Sequence, residues 1–264
     1  CRRLQCNHPQ VPTDSSNLAL KAVDLLTQKI PELANRGVNI TLEKNIPVGA
    51  GLAGGSGNAA ATLVGLNLLW QLGLTQIELE QLSAQLGSDV PFCIRGGTAI
   101  ATGRGEVLDP ISSLTDLWVV LAKYKSLSVS TPWAYQTYRQ QFSDRYVDIA
   151  NHATLKERQQ RVHAGPMVAA IGHAEGTAIG THLHNDLERV VLPAHPKVQQ
   201  LRHTLASHGG LGTLMSGSGP TVFTLVENRL AADDILAKVR ADLPDPDLEL
   251  WSACCTATGL RLGA

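Results

Sequence analysis

The chain has 264 residues, 44% of them hydrophobic and 17% charged, enough apolar sequence for one large domain or two smaller ones. A formal net charge of -1 excludes the basic surface that nucleic acid demands, and no apolar run reaches the length of a membrane span. Five cysteines (Cys1, Cys6, Cys93, Cys254, Cys255) form no CxxC pair, and the nine histidines show no zinc spacing relative to them. Reduced thiols, no metal-ligating side-chain set and a cytoplasmic setting (the plastid stroma in a plant or alga) are therefore expected.

In chain order, the sequence opens at Cys1-Arg2-Arg3-Leu4 without a methionine and reads as the end of a strand, so residues upstream are expected. Pro12 to Asn17 supplies N-cap candidates for a helix over Leu18 to Gln28. Val38 to Glu43 alternates and is rich in β-branched residues, predicting a strand, with strand-like character running on to Ile46. A helical pattern covers Asn58 to Trp70. Thr75 then caps a second helix, with Glu78 at the capping-box position. Gly87 to Phe92 reads as a tight turn, Gly96 to Thr102 as a strand and Gly103 to Glu106 as a hairpin turn.

Leu117 to Ala122 has the composition of a buried strand and opens a second region. There a helix over Thr131 to Arg139 precedes a polar stretch from Ser143 to Arg161. Pro196 to His208 reads as a helix and Leu211 to Ser216 as a strand. A glycine turn at Gly217 to Pro220 follows, then a strand over Thr221 to Val226, a helix over Ala231 to Arg240 and a last strand over Glu249 to Ala257. This order suggests an antiparallel sheet backed by helices.

The segment Pro47-Val48-Gly49-Ala50-Gly51-Leu52-Ala53-Gly54-Gly55-Ser56-Gly57-Asn58 joins a strand to a helix and carries most of the functional signal. Glycines there leave bare backbone N–H groups at the positive end of the helix, where phosphate oxygens fit without steric conflict. It is no Walker loop, because no lysine follows the last glycine. Nor is it a dinucleotide fingerprint. The ribose-binding carboxylate expected about twenty residues on should close a strand, whereas Glu78 and Glu80 lie in a helical run.

Pro47 to Asn58 resembles the central signature of the GHMP kinases, and Met215-Ser216-Gly217-Ser218-Gly219-Pro220-Thr221 resembles their C-terminal glycine motif. Three further stretches, Leu86 to Phe92, Val129 to Tyr135 and Asn185 to Glu188, are similar to the branch acting on 4-diphosphocytidyl-2-C-methyl-D-erythritol. The resemblance implies an α+β, two-domain GHMP kinase architecture. A ribosomal-S5-like N-terminal domain would span 1–113 and a ferredoxin-like C-terminal domain 114–264, with the active cleft between them. It also implies ATP and Mg²⁺ as cofactors, CDP-methylerythritol as the small-molecule substrate, and transfer to its 2-hydroxyl in the non-mevalonate isoprenoid pathway. The family's opening lysine strand and Tyr-His pair are not in this sequence and are expected upstream. Another GHMP small-molecule kinase, or a chain that binds nucleotide without turning over, stands as the alternative.

By the same resemblance Pro47, Val48, Gly49, Ala50, Gly51, Leu52, Ala53, Gly54, Gly55, Ser56 and Gly57 would wrap the ATP phosphates. Ser56 either contacts a phosphate or Mg²⁺ or simply caps the helix. Asp89 would take the proton from the attacking hydroxyl; without the family it reads equally as a turn former. Gly217, Ser218 and Gly219 would shape the acceptor side, though alone they make an ordinary turn. Gly96, Gly97 and Thr98 either line the acceptor's diphosphate or begin a strand. His182, His184, His203 and His208 read as solvated surface, and Trp133 and Tyr135 as base-stacking or core aromatics.

Overall fold

The computed structural model describes residues 2–145, 157 and 160–263. The chain divides into two compact units, one of Cys1–Val48, Ala53–Pro110 and Thr258–Ala264, the other of Gly49–Leu52 and Ile111–Ala257. By this division, four residues of the glycine loop belong to the second unit, and the C-terminal tail belongs to the first. The reasons are local. Thr221 N–H donates to the Ala50 carbonyl at 3.4 Å, and Leu260 packs on the core of the first unit.

In the first unit, β1 (Arg2–Cys6) pairs in parallel with β2 (Val38–Leu42), Leu4 opposite Ile40. Between them runs α1 (Leu18–Lys29), started by the Asn17 side chain, which accepts the Ala19 N–H at 2.9 Å. α1 packs on α2 (Gly54–Leu69) through Ala22, Val23 and Leu26 against Ala59, Ala60 and Leu63, all fully buried. Alanines on both faces let the axes approach closely, and the buried leucines supply the larger hydrophobic gain, about 2 kcal/mol each.

α3 (Gln76–Ser83) begins with the predicted capping box, Thr75 and Glu78 bonding reciprocally. A short helix, α4 (Val90–Arg95), follows where the sequence suggested only a turn; Pro91 sits in its first turn, where a missing N–H costs nothing. Arg95 on α4 donates through Nε to the buried Glu80 of α3 at 3.2 Å, fixing the two helices together. A two-stranded sheet of β3 (Thr98–Thr102) and β4 (Val107–Ile111) completes the unit.

The second unit is built on an antiparallel sheet, as its sequence suggested, of four strands in the order β6-β7-β5-β8. The strands are β5 (Trp118–Tyr124), β6 (Gly212–Met215), β7 (Val222–Val226) and β8 (Leu248–Cys254). Alternate residues of the inner strands, Val120 and Ala122 on β5 with Val222 and Val226 on β7, share one core. Val198, Leu201 and Leu205 of α9 (Pro196–Ser207) close over it, with Ile235 and Val239 of α10 (Arg229–Asp242).

Further helices are α5 (Thr131–Gln141), α6 (Pro166–Gly172), α7 (Gly176–His182) and α8 (Glu188–Ala194). Most of the polar stretch expected over 143–161 lies outside the described residues. Among the described residues no helix is long and apolar enough to cross a membrane.

Candidate active site

α2 begins at Gly54, four residues before the pattern-based start at Asn58, so Gly54, Gly55, Ser56 and Gly57 form its first turn. Ala53 holds the cap position in the left-handed region, φ 50°, and has no side chain able to accept a hydrogen bond. The first N–H to close is that of Gly57, onto the Ala53 carbonyl at 2.8 Å. The N–H groups of Gly54, Gly55 and Ser56 thus lack an acceptor among the described residues. No acidic side chain stands in this turn to offset the helix's positive end. Ser56 is the third residue of the helix and not its cap.

Ahead of the helix, positive φ recurs at every second residue: Gly49 at 63°, Gly51 at 71° and Ala53 at 50°. Such alternation turns successive amides toward one side and makes a concavity suited to anions. Pro47 and Val48 lead into this segment, with Leu52 between its two later turns.

In the second unit Gly51 meets the Gly217-Ser218-Gly219 turn. A β-carbon at 51 would lie 2.5 Å from the Ser216 carbonyl oxygen and 2.8 Å from that of Gly219, so only glycine fits. The Ser216 hydroxyl donates to the Gly51 carbonyl at 2.8 Å. The turn is in turn braced from below. Asn185 Nδ2 donates to the carbonyls of Met215 and Gly217, each at 2.8 Å. Glu188 Oε1 accepts the Met215 N–H at 2.8 Å, and the Ser218 and Thr131 hydroxyls bond at 2.7 Å. Thr131, Asn185 and Glu188, from two of the stretches singled out as sequence, therefore brace the glycine turn.

Asp89 sits at the head of α4 with no side-chain cap bond, an exposed carboxylate that does not serve the helix start. The turn-former reading thus loses its usual signature. One helical turn on, burial and then the Asp89 charge push the Cys93 thiol up to about 11. Gly96 and Gly97 both take positive φ ahead of Thr98, the first residue of β3. The Gly96 face is occupied by the tail: a β-carbon there would lie 1.8 Å from the Gly259 nitrogen.

Sequence reasoning passed over Lys44. Its ammonium lies 2.4 Å from where a β-carbon of Gly54 would stand. Of the histidines, His208 is not solvated surface: its ring is 16% exposed and pairs with Asp242 at 2.8 Å. His184 pairs with Asp186 at 3.2 Å. Trp133 packs against the core edge-on to His195, while Tyr135 is exposed.

Family models of the GHMP kinase N-terminal domain and the GHMP kinase C-terminal domain match residues 17–97 and 167–245. A relative from Gloeothece citriformis, named 4-diphosphocytidyl-2-C-methyl-D-erythritol kinase, is 58% identical over 98% of this chain and 82% of its own length. The chain belongs to the GHMP kinase family. A relative of the same name from Microcystis aeruginosa is 56% identical over 98% of this chain and 83% of its own. A crystal structure of 4-(cytidine 5'-diphospho)-2C-methyl-D-erythritol kinase superposes with TM-score 0.68 at 30% identity, covering 94% of this chain and 80% of that one. Homoserine kinase from Cytophaga hutchinsonii, at TM-score 0.74 but 18% identity over 98% of this chain and 84% of that one, shares the fold. In this GHMP kinase both glycine motifs are thus parts of one family frame, and ATP use follows from the family.

Proposed function

We propose that the chain is an ATP-dependent kinase that phosphorylates the 2-hydroxyl of 4-diphosphocytidyl-2-C-methyl-D-erythritol in the non-mevalonate isoprenoid pathway. The observation that carries the phosphotransferase part is the set of unclaimed amides at Gly54, Gly55 and Ser56, opening a helix with no acidic side chain in its first turn. The substrate rests on relatives more than half identical over nearly the whole chain.

Phosphoryl transfer asks the protein mainly for positioning and for charge stabilisation of the equatorial oxygens. The amides from Gly49 to Gly57 hold the nucleotide's phosphates. The Asp89 carboxylate accepts the proton of the attacking hydroxyl, a role open to an uncapped, exposed side chain. Gly96, Gly97 and Thr98 border the acceptor's diphosphate, and Gly217, Ser218 and Gly219 the acceptor side.

Mg²⁺ accompanies the nucleotide. Such ions keep water and substrate phosphates as most of their ligands and need only one or two protein oxygens. Ser56 in the first turn of α2 fits as one. The ion would supply neutralisation of charge across the phosphates.

A coupled assay of ADP release tests the reading, run with 4-diphosphocytidyl-2-C-methyl-D-erythritol beside homoserine, mevalonate and galactose. Turnover is expected with the first alone. Preference for any other alcohol overturns the substrate assignment, and ATP binding without turnover on any of them overturns the catalytic one.

A further inference from the structure

Lys44 stands in an arrangement that electrostatics disfavours unless an anion is present. It follows β2, and its backbone N–H is tied to Asn7 Oδ1 at 2.7 Å. Its side chain folds back over the start of α2. The ammonium lies 2.4 Å from the β-carbon position of Gly54, and Ile46 Cγ2 lies 3.1 Å from the same point. Lys44 and Ile46 therefore share the space that Gly54 leaves by having no side chain.

The start of α2 adds positive character beside the ammonium. α2 is a helix of 16 residues whose first turn holds no acidic side chain, so its N-terminus presents roughly half a positive charge. A cation placed there is repelled. Among the described residues no carboxylate lies within ion-pair distance of Lys44 to offset this. Nor is the ammonium simply solvated. Burial pulls it below the usual lysine range, with the Cys6 thiol opposing that shift.

A half-buried cation, three unclaimed amides and a helix N-terminus around one glycine all seek the same partner. The geometry points to Lys44 as a phosphate-binding residue, supplying from the strand side of the loop the charge that a Walker lysine supplies from the helix side. This inference rests on the reading of Gly54 to Ser56 as a nucleotide phosphate site, and adds to it the residue that meets the charge of the polyphosphate. The bare backbone of Gly54 lets the end of the Lys44 side chain lie directly over the first turn.

The test is titration calorimetry of the purified chain and of K44Q and K44R with ATP, ADP, AMP and adenosine, with thermal melts as a check on folding. Wild-type affinity should climb with the number of phosphates. K44Q should lose about ten- to a hundredfold toward ATP, as expected for a hydrogen bond to a charged group, and nothing toward adenosine. K44R should keep most of the ATP affinity. Unchanged ATP binding by K44Q overturns the role of Lys44 while leaving the amide site standing. An equal loss toward adenosine also overturns it, since the phosphates would then be irrelevant. Failure of the wild-type chain to bind ATP at all overturns both the phosphate-site reading and this one.

Discussion

The Ser216 hydroxyl donates to the Gly51 carbonyl at 2.8 Å, joining two glycine segments 165 positions apart in sequence. The bond and the missing β-carbon of Gly51 do different jobs, and substitution separates them. Ser216→Ala removes one hydrogen bond and should cost about 1 kcal/mol. Gly51→Ala should cost more, because the left-handed backbone alone adds about 1–2 kcal/mol before the contact at 2.5 Å with the Ser216 oxygen is relieved. Urea midpoints give the order. A milder effect for Gly51→Ala would show that the two segments are not closely fitted.

Asp89→Asn keeps the side-chain shape and removes the proton acceptor. Turnover should fall by about two to four orders of magnitude while ATP affinity stays near that of the parent. Steady-state rates beside calorimetric affinities check this, and near-normal turnover would take Asp89 out of the chemistry.

Thr221 is fully buried, and its hydroxyl has no hydrogen-bond partner among the described residues. Valine has nearly the same shape without the unpaired polar atom. Thr221→Val should therefore raise stability, by about 1 kcal/mol. A lower melting temperature would mean the hydroxyl has a partner in solution.

Asp247 accepts from both the hydroxyl and the N–H of Ser126, the latter at 2.9 Å, and the Ser126 side chain is the larger cause of its carboxyl being held below the usual range. A depressed folded value means the contribution is present above the unfolded carboxyl's titration, near 3.9, and fades as pH falls through the lower folded value. Asp247→Asn should melt earlier than the parent at neutral pH, the gap narrowing below about pH 4. A gap independent of pH would rule out the carboxylate's charge as its source.

Helix starts were legible where a side chain does the capping, as at Asn17 and Thr75. They were not legible where packing decides. Glycine carries a poor helix propensity, so Gly54 to Gly57 read as loop. The helix nonetheless begins at Gly54, directly after Ala53 in the left-handed region, a turn that side-chain preference does not announce. α7 was hidden for the same reason: a β-carbon on Gly180 would lie 1.7 Å from the Leu211 carbonyl, so close packing, not local preference, sets its composition.

Within the candidate site, the glycines, Ser56 and Asp89 are visible as residue types in order along the chain. Lys44 is not. A search for a lysine after the glycines looks along the helix, whereas this one lies two residues past the end of β2 and reaches Gly54 only through the fold. The bracing by Asn185 and Glu188 is hidden likewise, since both bonds span about thirty positions.

The return of the tail has a consequence for how the molecule is made. Leu260, partly buried, packs against the first unit's core, and Gly259 lies against Gly96 and the Cys93 carbonyl. During translation the first unit emerges from the ribosome early but lacks this closing piece until the whole second unit has been synthesised. Residues up to Pro110 expressed by themselves would therefore leave the Gly96 face without its covering tail.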